Sequence, residues 1–134
     1  MTKKLVQTSG TRKRAVARAR LVPGSGRVRI NSHLLEVYEP EIARLRIMEP
    51  LVLAGELAKK VDIVVSVQGG GWNAQSDASR LAIARALVDF SGSKSLKQTF
   101  LDYDRMLLVA DSRFKETRKP NDSKARAKRQ KSYR

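Results

Sequence analysis

The stretch Val61-Asp62-Ile63-Val64-Val65-Ser66-Val67-Gln68, then Gly69-Gly70-Gly71 and a largely apolar run to Phe90, decides the fold. Val61, Ile63, Val65 and Val67 fall on alternate positions, and β-branched residues at period two predict a strand. Asp62, Val64, Ser66 and Gln68 take its other face, which is mixed and suited to solvent or a polar partner. Three glycines stop the strand and permit a turn that side chains resist. Asn73 is the expected cap of the next helix, with Asp77 in its first turn, where a negative charge suits the dipole. Leu81, Ala84, Leu87 and Val88 follow helical spacing, and Ile83, Ala86 and Phe90 widen the apolar arc, so this helix packs on more than one side. Gly92 is placed to end it.

Toward the N-terminus, residues 5–8 predict a short strand broken by Ser9-Gly10-Thr11. From Arg12 to Val22, Ala15, Ala17, Ala19 and Leu21 alternate with Val16, Arg18 and Arg20. That is a strand with small residues on one face and arginines on the other. Pro23-Gly24-Ser25-Gly26 is a turn signal, and Arg27-Val28-Arg29-Ile30 resumes the alternation, so a β-hairpin over 12–30 is expected. Its five arginines, Arg14, Arg18, Arg20, Arg27 and Arg29, have no acid among them and point to phosphate binding.

Asn31 and Ser32 break the chain again. Residues 40–48 predict a short helix opened by Pro40 and ended at Glu49-Pro50, and residues 51–60 a second helix with Glu56 and Lys60 as an (i, i+4) pair. Leu45, Met48, Leu53 and Leu57 are expected in the core. Residues 93–103 predict a helix with Leu96, Phe100 and Leu101 on its apolar side, and residues 106–109 a closing strand. Beyond Phe114 no aliphatic residue is larger than alanine, so the C-terminal segment buries too little apolar surface to fold alone. The expected organisation is one α+β domain over 1–111, with its basic hairpin at the N-terminal end, and an extended basic tail over 112–134.

Charge sharpens that division. Of the net +15 carried by 134 residues, positions 1–29 hold +9 with no acid, 30–111 hold −2, and 112–134 hold +8. Cations at such density repel one another unless a polyanion is present, and nucleic acid is the first candidate, with an anionic membrane surface second. No apolar run approaches the ~20 residues of a membrane-spanning helix. The opening Met-Thr-Lys-Lys-Leu-Val-Gln-Thr-Ser-Gly lacks the apolar middle of a secretory signal, so a soluble cytoplasmic protein is expected.

Catalytic readings fail one by one. Gly69-Gly70-Gly71 follows a strand and opens a helix, but lacks both the Gly-Lys-Ser/Thr ending and the Gly-x-Gly-x-x-Gly spacing of nucleotide loops. Ser91-Gly92-Ser93-Lys94 fits Ser-x-x-Lys, a pattern too short to carry weight. Asp102, Asp104 and Asp111 read as turn and cap residues. His33 is the single histidine and there is no cysteine, so no metal site and no cofactor is expected.

Several ordered motifs then resemble the family of small ribosomal subunit protein nine, in its archaeal and eukaryotic form. They are Gly10-Thr11-Arg12-Lys13-Arg14-Ala15-Val16-Ala17-Arg18, Gly69-Gly70-Gly71 with Gln75, Ile83-Ala84-Arg85-Ala86-Leu87, Asp111-Ser112-Arg113-Phe114-Lys115-Glu116-Thr117-Arg118-Lys119, and the ending Gln130-Lys131-Ser132-Tyr133-Arg134. Bacterial members end Ser-Lys-Arg, so Tyr133 replaces a cation. The resemblance implies a two-layer α+β sandwich, a mixed sheet of about four strands with helices on one face, and a long basic C-terminal tail. It implies a structural, non-enzymatic protein of the small-subunit head that binds rRNA, without homo-oligomers, beside neighbouring head proteins and with mRNA nearby. The implied rRNA contacts are Arg12, Lys13, Arg14, Arg18, Arg20, Arg27 and Arg29 from the hairpin. From the tail they are Lys115, Arg118, Lys119, Lys124, Arg126, Lys128 and Arg129. Lys131, Ser132, Tyr133 and Arg134 are the implied contacts to the anticodon stem-loop of P-site tRNA.

Overall fold

A computed structural model describes residues 4–133. Among them, five strands form one sheet: β1 (Val6–Arg12), β2 (Ala15–Pro23), β3 (Val28–Ile30), β4 (His33–Leu34) and β5 (Val61–Gln68). Three α-helices, α1 (Glu41–Ala54), α2 (Trp72–Ser91) and α3 (Lys94–Tyr103), complete an α+β fold with a mixed sheet. The order is β1-β2-β5-β3-β4, with β3 and β5 parallel and the other pairs antiparallel.

The alternation seen in the sequence sets the inner face. Ala15, Ala17, Ala19 and Leu21 of β2, Val28 and Ile30 of β3, and Val61, Ile63, Val65 and Val67 of β5 are buried against the helices. Alanines on β2 keep that layer thin, so α2 lies close over β1 and β2. Gly10 and the alanines of α2 bring the closest approach. A Cβ added to Gly10 would lie 2.8 Å from the Ala82 nitrogen and closer still to the Ala78 carbonyl oxygen. The Thr8 hydroxyl donates to the Ala82 carbonyl at 2.8 Å, which fixes the strand on the helix. Gly92 ends α2 as expected, at φ 63° with its N–H on the Val88 carbonyl at 2.9 Å. Phe100 of α3 is fully buried, and Leu96 packs against the core.

Several local expectations are corrected. β1 is not broken at 9–11; it runs through Gly10, whose bare backbone the helix contact requires. The hairpin over 12–30 does not form, because β5 lies between β2 and β3. The true hairpin is β1–β2, turned at Lys13-Arg14 with Lys13 at φ 53°. The turn after β2 is held by the incoming strand. Asp62 Oδ1 accepts the Ser25 and Arg27 amides at 2.9 and 3.0 Å, and the Gly24 amide donates to the Lys60 carbonyl.

Glu41–Ala54 make one helix that runs through the predicted break at Glu49-Pro50. Pro50 sits inside α1, fully buried, so its packing outweighs the lost N–H. A 3₁₀ helix (Gly55–Lys60) replaces the predicted second helix, and Glu56 pairs with Lys59 rather than Lys60. Apolar residues surround α1, so spacing does not select its inner face. Ala43, Ile47 and Pro50 are buried, while Leu45 and Met48 point outward. Leu53 and Leu57 do pack on the core. The predicted strand over 106–109 is a 3₁₀ turn (Arg105–Leu107) capped by Asp104. α2 is capped by Gly71, not Asn73, and Asp77 falls in its second turn. Beyond that 3₁₀ turn the described residues contain no helix or strand, and those after Ser112 are mostly exposed.

Candidate nucleic-acid interface

The helices cover one face of the sheet; the other is open. Strand register places its residues in rows. Gln7, Arg20, Val64, Arg29 and Leu34 form one row across all five strands, and Ser9, Arg18 and Ser66 form the next. Arg18, Arg20 and Arg29 are exposed there. Asp62 is the one carboxylate on this face of the strands, and its oxygen is committed to the Ser25 and Arg27 amides. Those amides hold its carboxyl below the usual carboxylate range. Among the described residues, no carboxylate lies within the 4.0 Å ion-pair distance of Arg14, Arg18, Arg20, Arg27 or Arg29. The face therefore offers its cations to an external anion.

A second assembly gathers motifs that are far apart in sequence. Lys13 and Arg14 at the β1–β2 turn, Gly70 and Gly71 before α2, and Arg113-Phe114-Lys115 line one cleft of about 500 Å³. The glycine loop explains itself by closeness. A Cβ on Gly69 would lie 2.5 Å from the Arg14 carbonyl oxygen, and one on Gly70 3.2 Å from the Ala15 nitrogen. Both residues have positive φ, 79° and 65°. Gln75 Nε2 donates to the Gly69 carbonyl at 3.1 Å and holds the loop. Gly69 and Gly70 are thus spent on seating the hairpin turn, and Gly71 caps α2.

Arg12 differs from its neighbours. Its guanidinium lies 2.9 Å from Asp111 and 3.8 Å from Asp77, with only 20% of the side chain exposed. Asp77 also pairs with Arg46 of α1 at 3.0 Å, and Asp111 takes a two-point hydrogen bond from Arg113. A chain of alternating charges thereby ties α1, α2 and the end of β1 to the root of the tail. Arg85 adds two further ties, from Nε to the Leu108 carbonyl at 3.1 Å and from Nη1 to the Ser9 carbonyl at 2.9 Å. Arg80 pairs with Glu49 and with Asp104. Sequence reading did not assign Asp77, Arg80, Arg85 or Asp104 to this work. The available signal was two arginines, Arg80 and Arg85, flanking the apolar run Leu81-Ala82-Ile83-Ala84 of the helix, where a charge needs a partner.

The Arg113 side chain, then its backbone amide, holds the Asp111 carboxyl well below the usual carboxylate range, against the opposing effect of partial burial; Arg12 adds to this. A carboxylate with a lowered folded pKa contributes fully above its unfolded value, about 3.9, and loses that contribution only as pH falls through the folded value. The tail root should therefore stay tied from neutral pH to below ordinary carboxylate titration. The Asp111 carboxyl carbon followed by NMR should titrate below free aspartate; a midpoint at or above it would mean that the Arg113 fork does not form.

Along the tail, Lys115, Arg118, Lys119, Lys124, Lys128, Arg129 and Lys131 are exposed, and Arg126 pairs with Glu116 at 2.8 Å on the surface. Such a surface pair is weak and readily exchanged for phosphate. Ser132 and Tyr133 are exposed as well, and Arg134 lies outside the described residues. Among the described residues there is no cluster of metal-ligating side chains, and no helix is long and apolar enough to cross a membrane.

An α+β scaffold that spends some arginines on internal joints and leaves a sheet face and a tail openly cationic defines a class: small structural proteins with polycationic extensions. Residues 10–134 match the family described as Ribosomal protein S9/S16, and the chain belongs to that family. It is 48% identical over 133 residues to the small ribosomal subunit protein uS9 of Methanococcus vannielii, spanning 98% of this chain and 99% of that protein. It is 49% identical over 133 residues, with the same coverage, to the protein of that name from Methanococcus maripaludis strain C7. The chain is a ribosomal protein of archaeal type rather than an enzyme.

Proposed function

We propose that the chain is a structural constituent of the small-subunit head, in the cytoplasm as part of the ribosome, and that it holds rRNA on two surfaces. One is the open sheet with the hairpin turn, where Lys13, Arg14, Arg18, Arg20, Arg27 and Arg29 meet phosphates. The other is the tail, where Lys115 to Arg129 follow the RNA backbone. Arg12 serves the same interface indirectly, by fixing where the tail leaves the domain. The last residues, Lys131 to Arg134, reach the anticodon stem-loop of P-site tRNA, with mRNA and other head proteins close by. The observation that carries this reading is the sorting of arginines: Arg12, Arg46, Arg80 and Arg113 are paired with carboxylates, whereas the sheet and turn arginines are not.

Phosphate contacts release counterions, so each contact adds to the salt dependence of binding, with a log–log slope of roughly −0.7 per phosphate for single strands. A variant carrying Arg18→Gln, Arg20→Gln and Arg29→Gln keeps its fold, because all three side chains are exposed. Its rRNA-fragment affinity should fall, and its salt slope should flatten by roughly 2. An unchanged slope would remove the sheet face from the interface.

A further inference from the structure

The outward side of α1 does not fit an RNA-binding surface. Leu45, Met48 and Val52 lie at i, i+3 and i+7, opposite the buried Ala43, Ile47 and Pro50, and so form one stripe facing away from the core. Leu45 is 55% exposed and Val52 71%, and Ile42 beside them is 62% exposed. Large aliphatic side chains gathered in this way on a small domain mark an interaction surface. The charges around the stripe have the opposite sign to the rest of the protein. Residues 36–56 carry Glu36, Glu39, Glu41, Glu49 and Glu56 against only Arg44 and Arg46. Both arginines are engaged, Arg44 on the Glu36 carbonyl and Glu41, Arg46 on Asp77. Glu49 is turned to Arg80, and Glu56 holds Lys59. Glu36, Glu39 and Glu41 remain exposed at the N-terminal end of the stripe. Met48 and Glu36 border a groove that reaches Arg27 and Arg29, where the cationic sheet face begins.

We propose that this face of α1 docks a neighbouring polypeptide of the same particle, one that presents an apolar helix face flanked by lysine and arginine. The proposal rests on the ribosomal reading above, since it takes the particle as given. Phosphate is excluded as occupant, because the stripe offers it no donor and the nearby carboxylates repel it. A second copy of this chain is disfavoured too. A two-fold contact sets a patch against itself, and here glutamates would meet glutamates. A basic partner satisfies both the apolar stripe and its acidic end.

The test uses the full chain assembled into small subunits, with a photo-reactive benzoylphenylalanine at position 45 or 52 and, in a separate sample, at position 18. The stripe probes should yield adducts to a peptide of another protein that carries apolar residues and excess Lys/Arg. Adducts to RNA, to a second copy of this chain or to an acidic peptide, or no adduct, would each overturn the proposal. The probe at position 18 should yield RNA adducts, and its failure would count against the sheet-face reading instead. A variant with Leu45→Lys and Val52→Lys, both exposed positions, should lose the cross-linked partner from salt-washed subunits while keeping its rRNA. Full retention of that partner would contradict docking on α1.

Discussion

Gly10→Val is expected to be the most damaging single change in the folded domain. β1 lies on α2 at the height of Ala78 and Ala82, and the obstacles to a side chain there are backbone atoms. Neither a rotamer change nor a neighbouring side chain can clear them; the strand itself must lift. Lifting β1 would break the Thr8–Ala82 hydrogen bond and draw the Ser9 carbonyl from Arg85. Overpacking a core, which shifts side chains and backbone, costs typically about 1–3 kcal/mol and occasionally more. We expect about 3 kcal/mol or more, against a total stability of roughly 5–15 kcal/mol. For a domain of this size that is a fall in Tm of about 10 °C or more, readable by calorimetry. A variant that melts with the parent would show that β1 does not pack on α2 in this way.

Two truncations should separate the tail's two duties. Removing residues 115–134 deletes seven cations without a described carboxylate partner, six of them assigned to rRNA: Lys115, Arg118, Lys119, Lys124, Lys128 and Arg129, with Lys131 the seventh. If each of those assigned to rRNA neutralises one phosphate, the salt slope for rRNA should flatten by roughly 4 and affinity at low salt should fall steeply. The globular domain should melt unchanged, because the residues removed are mostly exposed. Removing only 131–134 should leave the rRNA slope nearly intact and weaken P-site tRNA binding to assembled subunits. Equal loss of rRNA affinity from both truncations would mean that the end of the chain, not its length, carries the RNA contact. Unchanged tRNA affinity in the shorter truncation would count against the terminal role.

The β5–α2 unit was legible because both of its signals are local. Alternation in Val61–Gln68 and the apolar arc of Trp72–Ser91 each depend only on neighbours in sequence. The same locality misled at 12–30. Two alternating runs around Pro23-Gly24-Ser25-Gly26 resemble a hairpin, yet β5, about forty residues later, enters between them. Nothing near the turn announces Asp62, whose carboxylate completes it. Likewise, spacing could not choose the buried side of α1, because apolar residues occur around the whole helix and only the contact with α2 selects Ala43 and Ile47.

By itself, then, the sequence determined the α+β class, the inward faces of β2 and β5, the span and end of α2, and the concentration of positive charge at the two ends. These follow from periodicity and composition, which no tertiary contact can alter. Tertiary structure alone decided the strand order, the outward stripe of α1 and which arginines are free. Arg12 and Arg14 are two residues apart and chemically identical, yet only Arg12 comes within reach of Asp77 and Asp111. A charge acts through its distance to other charges, and that distance is set by the folded chain.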